Sequence, residues 1–232
     1  MALVIAHRGA STARPENTVE AFAHAVDLGA DAVELDVRSS SDSVLVVSHD
    51  ATYADGRAVC DVAFAARPDG VCGLTEAIGA CADLIVNVEI KNMPGGPGFE
   101  PDHAIAAAVV EVLAATGFTD RFVVSSFNLD TIDRVRLLPG APPTALLTYS
   151  SALDPATVFG LAVDRGHRFV HPENGQVDAA YVVAAHEAGL AVNVWTVDDP
   201  VRIAELGAFG VDGVVTNVPD IARNALEGSA PG

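Results

Sequence analysis

Residues 18–37 read TVEAFAHAVDLGADAVELDV, and this stretch holds one complete structural unit. Thr18 is placed to cap a helix, an Ala- and Leu-containing amphipathic segment runs on to Leu28, and Gly29 supplies the stop. Residues 32–37 then form a short strand-like run in which Glu34 and Asp36 point to one side and Leu35 to the other. Outward from this unit the same alternation fills the chain. Strands are predicted at 3–6, 32–37, 84–89, 122–125, 144–148, 168–171, 191–196 and 213–216, each followed by a helical stretch; the one at 102–116 stops at Gly117.

Eight strand–helix units in 232 residues predict an α/β fold of the (β/α)8 TIM-barrel type rather than an open doubly wound sheet, because eight parallel strands close the sheet and remove its edges. Residues 44–48 follow the second strand too soon for a helical crossover, so they are expected to return as a hairpin near the barrel mouth. Residues 51–73, with their Gly, Pro and Asp, read as a short irregular insertion before the third strand. Residues 1–232 are expected to form a single domain.

Half of the residues are hydrophobic, which provides a core and excludes a disordered chain. Thirteen Lys plus Arg against 31 Asp plus Glu leave a net charge of −18. Such a chain repels phosphate backbones and anionic lipid surfaces, so neither nucleic acid nor a membrane is expected as a partner. No apolar stretch reaches the roughly 18 residues of a membrane span, and the first apolar run is cut short by His7 and Arg8. Cys60, Cys72 and Cys81 are odd in number and lack metal-ligand spacing, which suits free thiols in a reducing, cytoplasmic setting. No oligomeric state follows from these features.

In a barrel the active site lies at the carboxyl ends of the strands, and there the polar residues concentrate in the first three units. The first strand ends in His7, Arg8 and Gly9; the second carries Glu34 and Asp36; the hairpin ends in His49 and Asp50; the third ends in Glu89 and Lys91. Glu34, Asp36 and Glu89 are expected to converge on the barrel axis. Three carboxylates in a partly enclosed mouth need compensation. An all-oxygen set favours a hard divalent cation, Mg2+ or Ca2+, over zinc; the competing reading is a set of salt bridges to Arg8, Arg38 and Lys91. His7 and His49 ionise near neutrality and are placed to move protons.

Other signals are weaker. His24, His103 and His186 fall in predicted helices and read as solvated, while His171 ends the sixth strand and is a candidate for the mouth. Trp195 offers an apolar wall for a substrate, or core packing. No nucleophile elbow surrounds Ser125 or Ser126, and neither a Walker loop nor a dinucleotide glycine fingerprint stands in its required setting.

The ordered series His7-Arg8-Gly9, Pro15-Glu16-Asn17-Thr18, Glu34-Leu35-Asp36-Val37, His49-Asp50 and Glu89-Ile90-Lys91 resembles the glycerophosphodiester phosphodiesterase family. Ser125-Ser126-Phe127, Trp195-Thr196-Val197 and Gly210-Val211-Asp212-Gly213 leading to Thr216 and Pro219 extend the resemblance over essentially the whole chain. It implies a metal-dependent barrel hydrolase that cuts small-molecule glycerophosphodiesters to glycerol 3-phosphate and an alcohol. By matching positions, Glu34, Asp36 and Glu89 would hold the metal, His7 and His49 would be the acid/base pair, and Arg8 and Lys91 would contact phosphate. Alternatives are a phospholipase-type phosphodiesterase acting on an intact lipid headgroup, which the acidic charge argues against, and a noncatalytic barrel that binds a phosphate metabolite. Ser43 and Asn217 stand where the family often has glycine and aspartate. Both are expected to bear on loop shape, and the abbreviated insertion on the choice of alcohol.

Overall fold

The strands close into a ring in the structure, a computed structural model that describes residues 1–149 and 153–228. They are β1 (Leu3–His7), β2 (Ala32–Ser39), β3 (Leu45–Val47), β4 (Ile85–Ile90), β5 (Phe122–Ser126), β6 (Thr144–Thr148), β7 (Phe169–Pro172), β8 (Ala191–Val194) and β9 (Gly213–Thr216). All except β3 pair in parallel, in the order β1-β9-β8-β7-β6-β5-β4-β2, and the β1–β2 ladder completes the circle. Around them lie α1 (Val19–Asp27), α2 (Leu74–Ala80), α3 (Ala104–Ala115), α4 (Leu129–Arg136), α5 (Pro155–Asp164), α6 (Ala179–Glu187), α7 (Pro200–Phe209) and α8 (Pro219–Glu227). The chain is therefore a (β/α)8 TIM barrel. Residues 150–152 and 229–232 of the expected domain lie outside the described residues.

Each predicted strand falls on a barrel strand, with differences at the ends that have local causes. The run 191–196 overreaches, because Trp195 leaves the ladder for an isolated bridge to Glu173. The helix expected from 102 starts at Ala104, since His103 sits in the left-handed region at φ +55° and cannot extend a right-handed turn. Within the opening unit, Thr18 Oγ1 accepts a hydrogen bond from Ala21 N at 3.2 Å, and Gly29 ends the helix at φ +73°.

Alternation along β2 sorts the core from the chemistry. Val33, Leu35 and Val37 face outward into a cluster with Phe22 and Ala25 of α1, where complete burial of a side chain such as Leu35 contributes about 1.5–3 kcal/mol. Ala32 instead joins Ile5 and Val215 in a small apolar cluster, and Glu34 and Asp36 continue that inward face toward the carboxyl ends. β3 pairs antiparallel with β2 through Val37 and Val47, as the hairpin reading requires. The insertion that follows holds two short 3₁₀ turns, Val59–Asp61 and Phe64–Ala66, and an isolated bridge between Thr52 and Ala58. Its Tyr53, Val59 and Val62 form a small core with Val46 of β3. No helix among the described residues is long and apolar enough to cross a membrane.

Gly9 shows how tightly the first unit is closed. It lies at φ +81°, and a Cβ there would stand 2.6 Å from the backbone carbon of Ala21. Gly9→Ala combines a left-handed penalty with a clash against backbone that cannot yield, so it is expected to lower stability by about 2–4 kcal/mol. Urea unfolding of the two proteins checks this; an unchanged midpoint would show that the turn relaxes freely.

Candidate active site

β1 ends in His7, and the chain then turns sharply through Arg8 (φ +56°) and Gly9, both in the left-handed region. This turn brings the Arg8 amide to donate a 3.0 Å hydrogen bond to Glu34 Oε2, so the strained backbone is held by a carboxylate on the neighbouring strand. β2 and β4 pair in a register that sets Asp36 beside Glu89 and Glu34 beside Asn87. Glu34, Asp36 and Glu89 each offer an oxygen within 4.8 Å of the others, and all three are buried. Their exposures are 4, 1 and 7 % respectively, so water does little to screen their mutual repulsion.

Cations offset part of this charge. Lys91 Nζ lies 3.0 Å from Asp36 Oδ1 and 2.5 Å from Glu89 Oε1, and Arg8 Nε lies 3.3 Å from Asp36 Oδ2. Asn17 Nδ2 donates to Asp36 Oδ2 at 2.8 Å. Burial would raise the Asp36 carboxyl, but Lys91 and Arg8 outweigh it and hold the group below the usual aspartate range. Glu34 and Glu89 go the other way: burial first, with the charge of Asp36 added, pushes each up to about 8. Glu34 Oε1 is buried without a hydrogen-bond partner. A buried, unpartnered carboxylate oxygen facing two more carboxylates is the donor set that a hard divalent cation fits. The salt-bridge alternative is realised only in part. Arg38 donates to the carbonyl oxygens of His49 (2.7 Å) and Lys91 (3.3 Å) rather than to the acidic trio.

Two imidazoles flank this cluster. His7 Nε2 stands 4.0 Å from Glu34 Oε2. Burial lowers its pKa more than its bond to Asn217 raises it. His49, just beyond β3, is more open and meets Asp50 Oδ1 through Nδ1 at 2.8 Å; burial and then Lys91 lower its pKa. Both are therefore biased toward the neutral form at pH 7.

His7, Arg8, Glu34, His49, Glu89 and Lys91 line a cavity of about 220 Å³ together with the apolar Phe127, Leu147, Trp195 and Val215. Asp36 sits just behind, beneath Arg8 and Lys91. Trp195 donates Nε1–H to the carbonyl of His171 at 2.7 Å and meets Phe127 edge-on at 5.6 Å, so its ring is fixed as a wall. His171 belongs to the floor of the cavity, fully buried and pushed down to about 3 by that burial, hence neutral. Asn87 completes the floor.

Two expectations need correction. Asn217 does more than shape a loop: its Oδ1 lies 2.7 Å from His7 Nδ1. His103 is no solvated helix residue; outside α3, its Nδ1 is 2.9 Å from Thr131 Oγ1 and 3.2 Å from Asn92 Nδ2, tying the loop after β4 to α4. Asn17, Asn87, Phe127 and Leu147 also belong to the site, although the spacing of charged residues does not mark them. Asn17 and Phe127 lie within motifs that resemble family signatures, but Leu147 is one apolar residue among many. Among the remaining groups, His24 and His186 pair with Asp27 and Asp212, away from the cavity. Ser126 donates to the Ile90 carbonyl, a structural role.

The profile of the glycerophosphoryl diester phosphodiesterase family matches residues 7–221 of the chain. A glycerophosphodiester phosphodiesterase of Caldanaerobacter subterraneus subsp. tengcongensis is 29% identical over 245 residues, covering 97% of each sequence. Among solved structures, a phosphodiesterase from Oleispira antarctica in complex with the product sn-glycerol-3-phosphate superposes with a TM-score of 0.85 at 25% identity, over 97% of this chain and 96% of that one. A glycerophosphodiester phosphodiesterase from Thermotoga maritima gives a TM-score of 0.83 at 24% identity, over 97% and 98%.

Proposed function

The chain belongs to the glycerophosphoryl diester phosphodiesterase family, and from that premise we propose that it hydrolyses small glycerophosphodiesters to glycerol 3-phosphate and an alcohol by cation-assisted acid/base catalysis. The observation that carries this reading is the buried meeting of Glu34, Asp36 and Glu89 beside His7 at the carboxyl end of the barrel. Those three carboxylates would hold Mg2+ or Ca2+, which when bound draws charge from a phosphate oxygen.

The chain's own groups account for the remaining demands of the reaction. Arg8 and Lys91 present cationic N–H donors to the anionic phosphate, and both line the cavity. His7 is neutral near pH 7 and presents a ring nitrogen to accept the proton of the attacking hydroxyl, either that of water or that of the neighbouring glycerol carbon, whose cyclic phosphate water then opens to glycerol 3-phosphate. His49, next to Asp50 and closer to solvent, delivers a proton to the departing alkoxide from its protonated fraction, which the Asp50 carboxylate favours against burial and Lys91. Trp195, Phe127 and Leu147 supply an apolar part of the lining, which strengthens the electrostatic contacts in the cavity. The volume suits a substrate of glycerol-phosphate size.

The test is direct. Purified protein is incubated with sn-glycero-3-phosphocholine and Mg2+ or Ca2+, and glycerol 3-phosphate is followed by a coupled assay. Turnover is expected with a cation and is expected to disappear on chelation. Vesicles of the parent phospholipid, run in parallel, are expected to yield no product. A folded protein that releases no glycerol 3-phosphate with either cation would refute the reading.

A further inference from the structure

We propose that Asn217, locked in place by Asp198, is a positioning residue that fixes the tautomer and ring orientation of His7 so that Nε2 presents its lone pair to the cavity. The inference deepens the reading of His7 as a proton carrier and rests on it.

The chain of donors and acceptors leaves one arrangement. Asp198, in the loop after β8, accepts through Oδ1 from the Thr216 hydroxyl at 2.9 Å and the Asn217 amide N–H at 2.8 Å. Its Oδ2 lies 2.7 Å from the Asn217 side-chain nitrogen. An ionised carboxylate only accepts, so the end of the Asn217 side chain facing it must be the NH2 group. The opposite end, Oδ1, is then forced toward His7, where it lies 2.7 Å from Nδ1. The Ser11 hydroxyl donates to the same oxygen at 2.8 Å and helps hold it. An amide oxygen cannot donate, so His7 Nδ1 must carry the hydrogen. A neutral imidazole has only one N–H, and the lone pair is therefore left on Nε2.

Nε2 is the nitrogen on the Glu34 side of the ring, 4.0 Å from Oε2. The anchor comes from two loops, after β8 and after β9, while the histidine is at the end of β1. Closure of the barrel thus places a structural carboxylate, an amide and an imidazole in series. The amide passes on the orientation set by Asp198 without adding a negative charge against the ring, in a site that already holds three buried carboxylates.

The experiment reads the tautomer directly, in protein without substrate. Histidine labelled with nitrogen-15 is examined by proton–nitrogen multiple-bond correlation at about pH 8, where an unperturbed imidazole is neutral, with His7 assigned by its loss in His7→Gln. Wild type is expected to show a protonated Nδ1 and a bare Nε2. Asn217→Leu, which keeps the bulk and removes the acceptor, is expected to abolish this single pattern and to lower kcat by about 10–100-fold, the usual loss when an orienting partner is removed, with KM little changed. The exchange Asn217→Asp with Asp198→Asn, which keeps an NH2 donor between the two side chains and an acceptor on His7, is expected to recover the Nδ1–H pattern and most of the rate. Asp198→Ala provides a second route should Asn217→Leu fail to fold. A wild-type His7 protonated at Nε2, or a pattern unmoved by Asn217→Leu and Asp198→Ala, would overturn the proposal. An intact pattern in a protein with no turnover would leave the positioning standing and sink the assigned function instead.

Discussion

Alanine at His7 or at His49 is expected to cut kcat for glycerophosphodiester cleavage by about 10²–10⁴-fold, the range for loss of one positioned proton donor or acceptor. The two residues share the cavity with the acidic cluster but stand in different surroundings. His7 is mostly buried, bonded to a neutral amide and held below the ordinary histidine pKa by burial. It is therefore unprotonated at pH 7, as a proton acceptor must be. A group whose pKa is lowered keeps its neutral form down to a lower pH, so the acidic limb of kcat/KM should fall below the range of a free histidine. His49 carries a carboxylate on Nδ1, which favours the protonated ring that the proposed donor role requires. Burial and Lys91 lower its pKa, so the protonated fraction and the rate should decline as pH rises toward neutrality. The double variant should be little slower than the worse single one, because the two transfers serve one displacement. Neither side chain packs in the main core. His7→Ala removes one hydrogen bond to Asn217, worth about 1 kcal/mol, so Tm should move by only about 2–4 °C. Rates within tenfold of wild type for both single variants would remove the histidines from the mechanism.

Much of this is legible in the sequence, and the limits of legibility have physical causes. Barrel strands are buried on both faces and surface as short β-branched runs, so each of the eight could be read. Period two then put Glu34 and Asp36 on one side, and the β2–β4 register added Glu89. What escaped was set by distance along the chain or by backbone conformation. Asn217 meets His7 across 210 residues, and no local pattern marks a partner that only ring closure delivers. Phe127 and Leu147 face the cavity because β5 and β6 reach it, yet each reads as ordinary core. His103 looked helical because its left-handed backbone, which ends the helix before it starts, leaves no signature in composition. The core of the insertion joins Tyr53, Val59 and Val62 at irregular spacing, so hydrophobic periodicity had nothing to detect.

Isosteric removal of charge from the acidic trio should uncouple stability from catalysis, in a direction the buried carboxylates dictate. Without a cation, burial and mutual repulsion push Glu34 and Glu89 from the ordinary 4.5 up to about 8. A carboxyl whose pKa is raised on folding binds more protons folded than unfolded, so the cation-free protein should lose stability as pH climbs from about 4.5 to about 8. A cation reverses that slope, because it takes the place of those protons and binds more tightly as they leave. The Tm increase produced by Mg2+ or Ca2+ should therefore be small at about pH 6 and grow through about pH 8. Glu34→Gln removes a carboxylate whose Oε1 has no hydrogen-bond partner while keeping its shape. At about pH 8.5 it should be more stable than the cation-free wild type, show little cation-dependent rise in Tm, and turn over more than about 100-fold more slowly. Glu89→Gln should lose the cation response too, but with less gain in stability, because Lys91 forfeits one of its two carboxylate partners. Thermal unfolding across pH, with and without cation, measures all of these. Were Glu34→Gln to keep the full cation-induced rise in Tm, the carboxylate cluster would not be where the ion binds.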